Sequence, residues 1–402
     1  MELREQIAQI RTGAVDLITE KELEAKLAKS LKEKKPLRIK YGADPSSPDL
    51  HLGHTVPLRK LRQLQEMGHR VVFIIGDFTA RVGDPSGRSE MRKMLTPDEV
   101  RKNAETYQEQ VFRILDPKQT EVHYNSEWLE TMDASHFLEL TSKYTVARLL
   151  ERDDFEKRHR AGQPIALVEF LYPLLQGYDS VVVRADVEIG GTDQKFNLLV
   201  GRELQREWKS EPQVVLTLPL IEGTDGVQKM SKSAGNHIAL QDSPREMFGK
   251  IMSLADSLLE RYYQYVSGLK PSEYEPLLAD LRSGRLHPRE AKARLGEQIV
   301  SLYYPKEEAR EARQEFDRVF KEKGLPDEIE TVSIKEKQRG ILDLLKDTGL
   351  VASKMEARRL ISQGGVKLDC EKISDEQFIV HLEKPVLLQC GKRKFVRVQS
   401  HP

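Results

Sequence analysis

The chain has 402 residues, 39% of them hydrophobic and 32% charged, and its 64 Lys plus Arg balance 64 Asp plus Glu. That length exceeds what one hydrophobic core usually organises, and no apolar run reaches the roughly 20 residues a helix needs to cross a bilayer, so two or three domains and no membrane span are expected. Two cysteines, Cys370 and Cys390, argue against a disulfide framework or a cysteine zinc site, and both read as structural.

In chain order, the first forty residues set Leu23, Leu27 and Leu31 at helical spacing among Glu and Lys, unlike the apolar core of a secretory signal, and a cytoplasmic protein is expected. Segments 38–42, 70–76, 180–188 and 213–218 predict buried strands, each followed by a glycine-containing or polar turn. Strands alternating with helical stretches imply a parallel sheet covered by helices, a catalytic α/β domain over 1–240. A segment rich in helix formers, about 125–178, reads as a helical insertion in that domain. From 241 to 323 the period is helical, with Pro271, Pro288 and Pro305 as punctuation. A linker is expected at 324–335 and a small mixed module at 336–402. That module holds 13 Lys plus Arg against 9 Asp plus Glu, a net +4 offset by −4 over the rest of the chain, and is the candidate for meeting a polyanion.

The chemistry concentrates in three short stretches. His51-Leu52-Gly53-His54 follows the first of these strands, and Pro57 lies just beyond it. Because proline lacks an N–H and clashes with the preceding turn, the helix is expected to begin near His54, placing both imidazoles at an N-terminus where free amides and the dipole favour phosphate. Gly53 removes a side chain where a nucleobase or ribose must approach the backbone. Two ordinary surface histidines are the plainer alternative, and metal ligation lacks a neighbouring Cys or acidic cluster. The second stretch, Gly190-Gly191-Thr192-Asp193-Gln194, allows close backbone approach and offers Asp193 to ribose hydroxyls. In the third, Lys229-Met230-Ser231-Lys232-Ser233, two lysines three apart on a glycine-flanked loop can fold over a pyrophosphate and stabilise charge that develops only during transfer. Neutral imidazoles at His51 and His54 with mobile ammonium groups at Lys229 and Lys232 suit a site that holds ATP while a carboxylate attacks its α-phosphorus. An adenylate-forming enzyme is expected.

A fourth stretch bears on which carboxylate that is. Tyr172, Gln176 and Asp179 stand at i, i+4 and i+7, so they share one helix face and can line one pocket; a Gln and an Asp facing a core would otherwise need partners.

The histidine and lysine motifs, in their order and separation, resemble those of class I aminoacyl-tRNA synthetases. Tyr172 to Asp179, together with Gly83-Asp84-Pro85-Ser86-Gly87, is similar to the amino-acid pocket of the tyrosyl members. The resemblance runs from about Leu37 to the C-terminus. It implies a Rossmann-like catalytic domain with a helical insertion, an all-helical domain on the anticodon side, and a small α+β RNA-binding module of the kind first named for a small-subunit ribosomal protein. In that likeness Tyr172, Gln176 and Asp84 hold the α-ammonium of tyrosine, Asp179 accepts the phenolic hydroxyl, and Asp44 and Thr79 complete the tyrosine site. Gly53, Gly191, Asp193, Gln194, Lys232 and Ser233 are implied for ATP, and Arg358, Arg359 and Lys367 for RNA. The family often carries a second tyrosine facing the phenol on the first strand. Here the aligned position is Lys40, with Tyr41 beside it, and adjacent strand residues point to opposite faces.

The expected activity is an ATP-dependent tyrosine–tRNA ligase of bacterial type, with magnesium accompanying ATP, no permanently bound cofactor and no metal ligands, working as a homodimer on its tRNA. A tryptophanyl relative, a small-molecule nucleotidylyltransferase and a non-catalytic RNA-binding regulator remain as alternatives. The tail module and Asp179 favour tyrosine, and the intact Lys229 and Lys232 favour catalysis.

Overall fold

A computed structural model describes residues 1–45, 49–86, 96–321, 329–369, 371–391 and 394–400. They form two compact units, residues 1–309 and residues 310–402.

The first unit is built on a six-stranded sheet made of β1 (Asp16–Ile18), β2 (Arg38–Ala43), β3 (Arg70–Ile75), β4 (Thr120–Tyr124), β5 (Val187–Gly191) and β6 (Val214–Leu218), in the order β1-β6-β5-β2-β3-β4. All neighbours are parallel except β1, which runs antiparallel on the edge with Asp16 opposite Thr217. The continuous apolar runs of β3 and β6 are buried along nearly their whole length, as strands covered on both faces require. From β2 the chain winds outward through β3 to β4, and from β5 it winds the other way to β6. The order therefore reverses between β2 and β5, and in an open sheet the crevice beyond the carboxyl ends of the strands at such a reversal is where ligands bind.

Beneath that reversal lies a buried ion pair. Lys40 of β2 and Glu188 of β5 are neighbours in register; their charged groups are 2.8 Å apart at 0% and 1% exposure. The Lys40 ammonium also donates to Gln176 O at 2.9 Å and to Ser180 Oγ at 2.7 Å, and Gln213 Nε2 donates to Glu188. Both Gln176 and Ser180 belong to the helix Leu167–Val182, so the pair fixes that helix to the sheet. This helix packs tightly on the helix Lys195–Glu207 because Gly177 lies at their closest approach.

Several expectations are corrected. The strand expected at 180–188 is mostly helix and turn: residues 180–182 end the helix Leu167–Val182, and the strand starts only at Val187. The β-branched run Val181-Val182-Val183 suggests a strand locally, but the amphipathic helix it completes buries more of the sheet side, and packing overrides propensity. The edge strands β1 and β4 were not expected, since β4 is half-buried and mixed in polarity. The helix expected to begin near His54 begins at Leu52 with His51 as its N-cap, because the Leu52 N–H is drawn to Ile238 O at 2.9 Å; Pro57 is accommodated inside it.

Residues 126–160 include the short helices Ser126–Leu129, Ala134–Ser142, Val146–Leu149 and Asp153–Arg160. The helices Pro244–Met252, Leu259–Tyr265, Pro271–Arg282 and Pro288–Val300 belong to the first unit, and Tyr262 ties them to the segment after β6 by donating its hydroxyl to Glu222 O at 2.7 Å. Residues 324–328 of the expected linker lie outside the described residues.

The second unit contains β7 (Thr331–Ile334), β8 (Gln338–Gly340), β9 (Val366–Leu368), β10 (Glu371–Lys372), β11 (Ile379–His381), β12 (Val386–Cys390) and β13 (Lys394–Ser400). Five of these strands form a sheet in the order β10-β9-β12-β13-β7. The strand β7 thus falls within the expected linker and pairs in parallel with β13. The helices Ile341–Asp347 and Lys354–Ser362 close a core that includes Leu344, Ile361, Leu388 and Cys390. Cys390 is buried there as a small hydrophobe, whereas Cys370 lies outside the described residues.

The contact at Gly177 generates a stability test. A Cβ there would stand 2.9 Å from Leu204 Cδ1 and 3.0 Å from the backbone nitrogen of Gly201, which cannot retreat without moving its helix. Gly177→Val should therefore lower unfolding free energy by about 1–3 kcal/mol in urea denaturation, the usual range for overpacking. An unchanged midpoint would show that the two helices separate freely.

Candidate active site

The loops leaving the carboxyl ends of β2 and β5 meet the 229–233 loop around a cavity of about 460 Å³. All of the residues assigned above to catalysis, ATP and tyrosine line it, from Asp44, His51, Gly53, His54 and Thr79 through Asp84, Tyr172, Gln176 and Asp179 to Gly191, Asp193, Gln194, Lys229, Lys232 and Ser233. Arg358, Arg359 and Lys367 belong instead to the second unit, where all three are exposed, the first two on the helix Lys354–Ser362 and the third on β9. Gly87, within the quoted Gly83–Gly87 motif, lies outside the described residues.

The histidine motif is held by a short backbone pairing. Leu52 N donates to Ile238 O and Leu240 N to Leu50 O, both at 2.9 Å, so the segment before the helix is stitched to the chain just after the lysine loop. The two imidazoles lie against each other with centroids 3.8 Å apart and planes tilted by 36°. A Cβ on Gly53 would come within 3.0 Å of the His51 ring, so this glycine makes room for the neighbouring histidine as well as for a ligand. Burial, and then the nearby His54, His237, Lys232 and Lys229, push the His51 pKa down to about 2; burial followed by Lys232 pushes that of His54 down to about 4. Both rings are neutral at physiological pH. His54 Nδ1 accepts the His51 backbone N–H at 3.2 Å, which assigns the proton to Nε2 and leaves that nitrogen as a donor.

Each loop lysine has a carboxylate partner. Lys229 Nζ is 3.0 Å from Asp193 and Lys232 Nζ is 2.5 Å from Asp49. Asp193, expected to serve ribose hydroxyls, is therefore engaged by a lysine. Both pairs are partly exposed, so they hold the loop weakly and can exchange for phosphate oxygens. Asn236, buried at 2% exposure, fixes the loop base by accepting the Ser231 N–H at 2.8 Å and donating to Asp225 at 2.9 Å.

The opposite end of the cavity is a network around two carboxylates. Asp44 accepts from Thr79 Oγ1 at 2.8 Å and from the Tyr172 hydroxyl at 3.0 Å. Asp84 accepts from Ser86 and from Gln194 Nε2, the latter at 2.8 Å, while Gln176 Oε1 accepts from Asn197 at 3.1 Å. Deeper down, Asp179 accepts from Trp128 Nε1 at 2.9 Å and from Asn125 Nδ2 at 3.3 Å. Burial raises the Asp179 pKa to about 7, offset in part by the Lys40 charge and by those two donors.

Tyr41 lines this cavity, and burial pushes its phenol up. Lys40 points away into the ion pair with Glu188, so the strand alternation places Tyr41, not the aligned residue, on the cavity side. Sequence reasoning missed Asn125, Trp128, Asp49, Asn236 and Asn197. Asn125 and Trp128 come from a segment far from Asp179 in the chain, whereas Asp49, Asn197 and Asn236 stand within three residues of His51, Gln194 and Ser233, where no local pattern marks them as partners.

Comparison with known proteins agrees with this geometry. Residues 32–321 match the family model of tRNA synthetases class I (W and Y), and residues 321–398 match the tyrosine–tRNA ligase SYY-like C-terminal domain. A tyrosine–tRNA ligase of Moorella thermoacetica is 52% identical over 399 residues, covering 99% of this chain and 97% of its own. One from Geobacter sulfurreducens is 52% identical over 400 residues, covering 99% of both. The crystal structure of tyrosyl-tRNA synthetase complexed with L-tyrosine from Archaeoglobus fulgidus shares the fold, with a TM-score of 0.63 at 24% identity over 78% of this chain and 100% of that one. The chain belongs to the tyrosine–tRNA ligase family of class I tRNA synthetases.

Proposed function

We propose that the protein joins tyrosine to its tRNA in two steps: tyrosine and ATP give tyrosyl-adenylate and pyrophosphate, and a hydroxyl of the terminal tRNA adenosine then takes the tyrosyl group and releases AMP. The observation that carries this reading is the single cavity in which the paired histidines, the two loop lysines and the Asp44–Tyr172–Gln176–Asp179 wall converge. Tyrosine lies with its phenol toward Asp179 and Tyr41 and its ammonium toward Asp44, Asp84, Thr79, Tyr172 and Gln176. Its carboxylate oxygen attacks the α-phosphorus, a bond forms there, and the bond to the bridging oxygen of the β-phosphate breaks. No side chain acts as nucleophile, so positioning and charge stabilisation supply the acceleration. His51 and His54 sit at the phosphates as neutral groups, with His54 Nε2–H donating. Lys229 and Lys232 leave Asp193 and Asp49 to grip the departing pyrophosphate, and Asp193, once released, faces the ribose. Gly53, Gly191, Gln194 and Ser233 complete the nucleotide side.

Magnesium enters with ATP as the substrate complex. The division into a catalytic part, 1–240, a helical part, 241–323, and a C-terminal module, 336–402, follows the same reading, as do a cytoplasmic homodimer and tRNA contacts at Arg358, Arg359 and Lys367.

Phenol recognition is testable through Asp179. A site built to hydrogen-bond a hydroxyl rejects the analogue that lacks it, a rule for which this enzyme family is itself the general illustration. ATP–pyrophosphate exchange should be strong with tyrosine and negligible with phenylalanine, and Asp179→Ala should erode the difference. The raised pKa adds a pH dependence. Ionised Asp179 is the better acceptor for the phenol, and in the free protein it is only half ionised at about pH 7. Tyrosine affinity in calorimetry should therefore rise from pH 6 to pH 8, and Asp179→Asn should flatten that rise. A flat profile in the unmodified protein, or better exchange with tryptophan, would overturn the assignment.

For the loop, Lys232→Ala should slow single-turnover adenylate formation by roughly a hundredfold to a thousandfold while tyrosine affinity without ATP hardly changes. An unchanged rate would remove Lys232 from the transition state.

For the second unit, a chain ended after Lys321 should still make tyrosyl-adenylate but lose most tRNA charging, because Lys and Arg contacts to phosphate supply much of RNA affinity. Its tRNA binding should also weaken less steeply with salt than that of the full chain. Equal charging by both chains would move the tRNA contact to the first unit.

A further inference from the structure

The first unit contains a second cavity of about 450 Å³, close in size to the catalytic one and within the range of small-molecule sites. It lies between the second half of the helix Leu52–Glu66, the end of the helix Pro97–Val111 and the turn before the helix Pro271–Arg282. Leu218, at the end of β6, is the single described residue lining both cavities.

Its chemistry is cationic and aromatic. Arg59, Lys60, Arg113 and Lys270 line it, and no described carboxylate pairs with any of their charged groups. The acidic residue on its wall, Glu66, is taken up by Arg62 at 3.2 Å. Arg59 and Arg113 lie 5.8 and 5.7 Å from the centre of the Tyr303 ring, and Arg113 lies 5.5 Å from that of Tyr304, so both guanidinium groups pack beside aromatic rings. Arg59 donates to the Tyr303 hydroxyl at 2.9 Å, yet its Nε is buried and has no partner. Arg113 donates to Leu240 O and Tyr303 O, leaving further N–H groups unused. Lys60 spends its three donors on Gln9 O, Thr12 O and Gln63 Oε1, so it contributes field and not a contact; burial without a neighbouring anion pushes its pKa down to about 8. Tyr265 adds a second aromatic surface on the wall.

Uncompensated positive charge in a cleft focuses potential on an anion, and the aromatic walls offer stacking to a flat ring. We propose that this second cavity binds a phosphorylated nucleoside, with the phosphate on Arg59 and Arg113, Lys270 at the mouth, and the base against Tyr303 or Tyr265. This site is separate from the one that binds ATP for catalysis.

The full-length protein is first saturated with a non-hydrolysable tyrosyl-sulfamoyl adenosine, which occupies the catalytic cavity, and AMP is then titrated by calorimetry. One further AMP should bind. Adenosine should bind at least tenfold more weakly, since the phosphate is the anchor, and Arg59→Gln should weaken AMP at least tenfold while tyrosine-dependent exchange stays unchanged. Lys270→Ala, at an exposed position, gives the same reading with a smaller loss if the Arg59 variant folds poorly. Photolabelling with 8-azido-AMP locates the site independently of saturation: label on peptides carrying Tyr265 or Tyr303 supports the proposal. Label confined to peptides of the catalytic cavity, no AMP binding to the saturated protein, equal affinity for adenosine, or indifference to both substitutions would each overturn it.

Discussion

The ion pair between Lys40 and Glu188 joins the two strands whose carboxyl ends carry the site. With both groups out of water, each needs the other and every remaining hydrogen bond: Ser180, Gln213 and the carbonyl of Gln176 supply them. Removing one partner of such a pair commonly costs about 3–5 kcal/mol, because the survivor is left charged and unpaired in the interior. The same contacts fix the helix Leu167–Val182 over the reversal in strand order, and through it the depth of Asp179. The Lys40 charge reaches Asp179 as well, opposing the rise that burial imposes on its pKa. The pair's lysine thereby tempers the ionisation of a group whose pKa burial chiefly decides.

At the other end the histidine and lysine motifs are coupled mechanically. The pairing of residues 50–52 with 238–240 anchors the start of one helix to the root of the lysine loop. The imidazoles are buried, neutral and fixed, whereas the lysines are half-exposed and held by carboxylates that phosphate can displace. Rigid neutral donors and movable charged ones divide the work. On the proposed reading, groups needed before and after transfer stay in place, and groups whose stabilisation is wanted only as charge develops on pyrophosphate are free to arrive and leave.

The sequence carried the site further than it carried the fold's edges. His51, His54, Lys229 and Lys232 were legible because their chemistry resides in short strings, and Tyr172, Gln176 and Asp179 because a helix repeats its face within a few residues. The strands β1 and β4 were not legible, since a half-buried edge strand lacks the unbroken apolar run that marks a central one. The run at 181–183 misled for the converse reason: β-branched residues suit a strand locally, yet they close a helix whose packing outweighs that preference.

What the sequence by itself determined is the inventory of chemistry: two imidazoles at a helix start, two lysines on a loop, a polar helix face, and a basic C-terminal module. What only the tertiary structure decided is how those groups are poised. Asp49 and Asp193 as the lysines' partners, Trp128 and Asn125 on Asp179, and Tyr41 instead of Lys40 on the cavity wall all depend on contacts between segments far apart in the chain. The second cavity, lined from residues 12–13, 56–66, 113–114, 218, 264–274 and 302–303, depends on such contacts entirely. Local periodicity records which face of an element is buried, but the identity of the group across the interface is fixed only when the sheet order brings the two segments together.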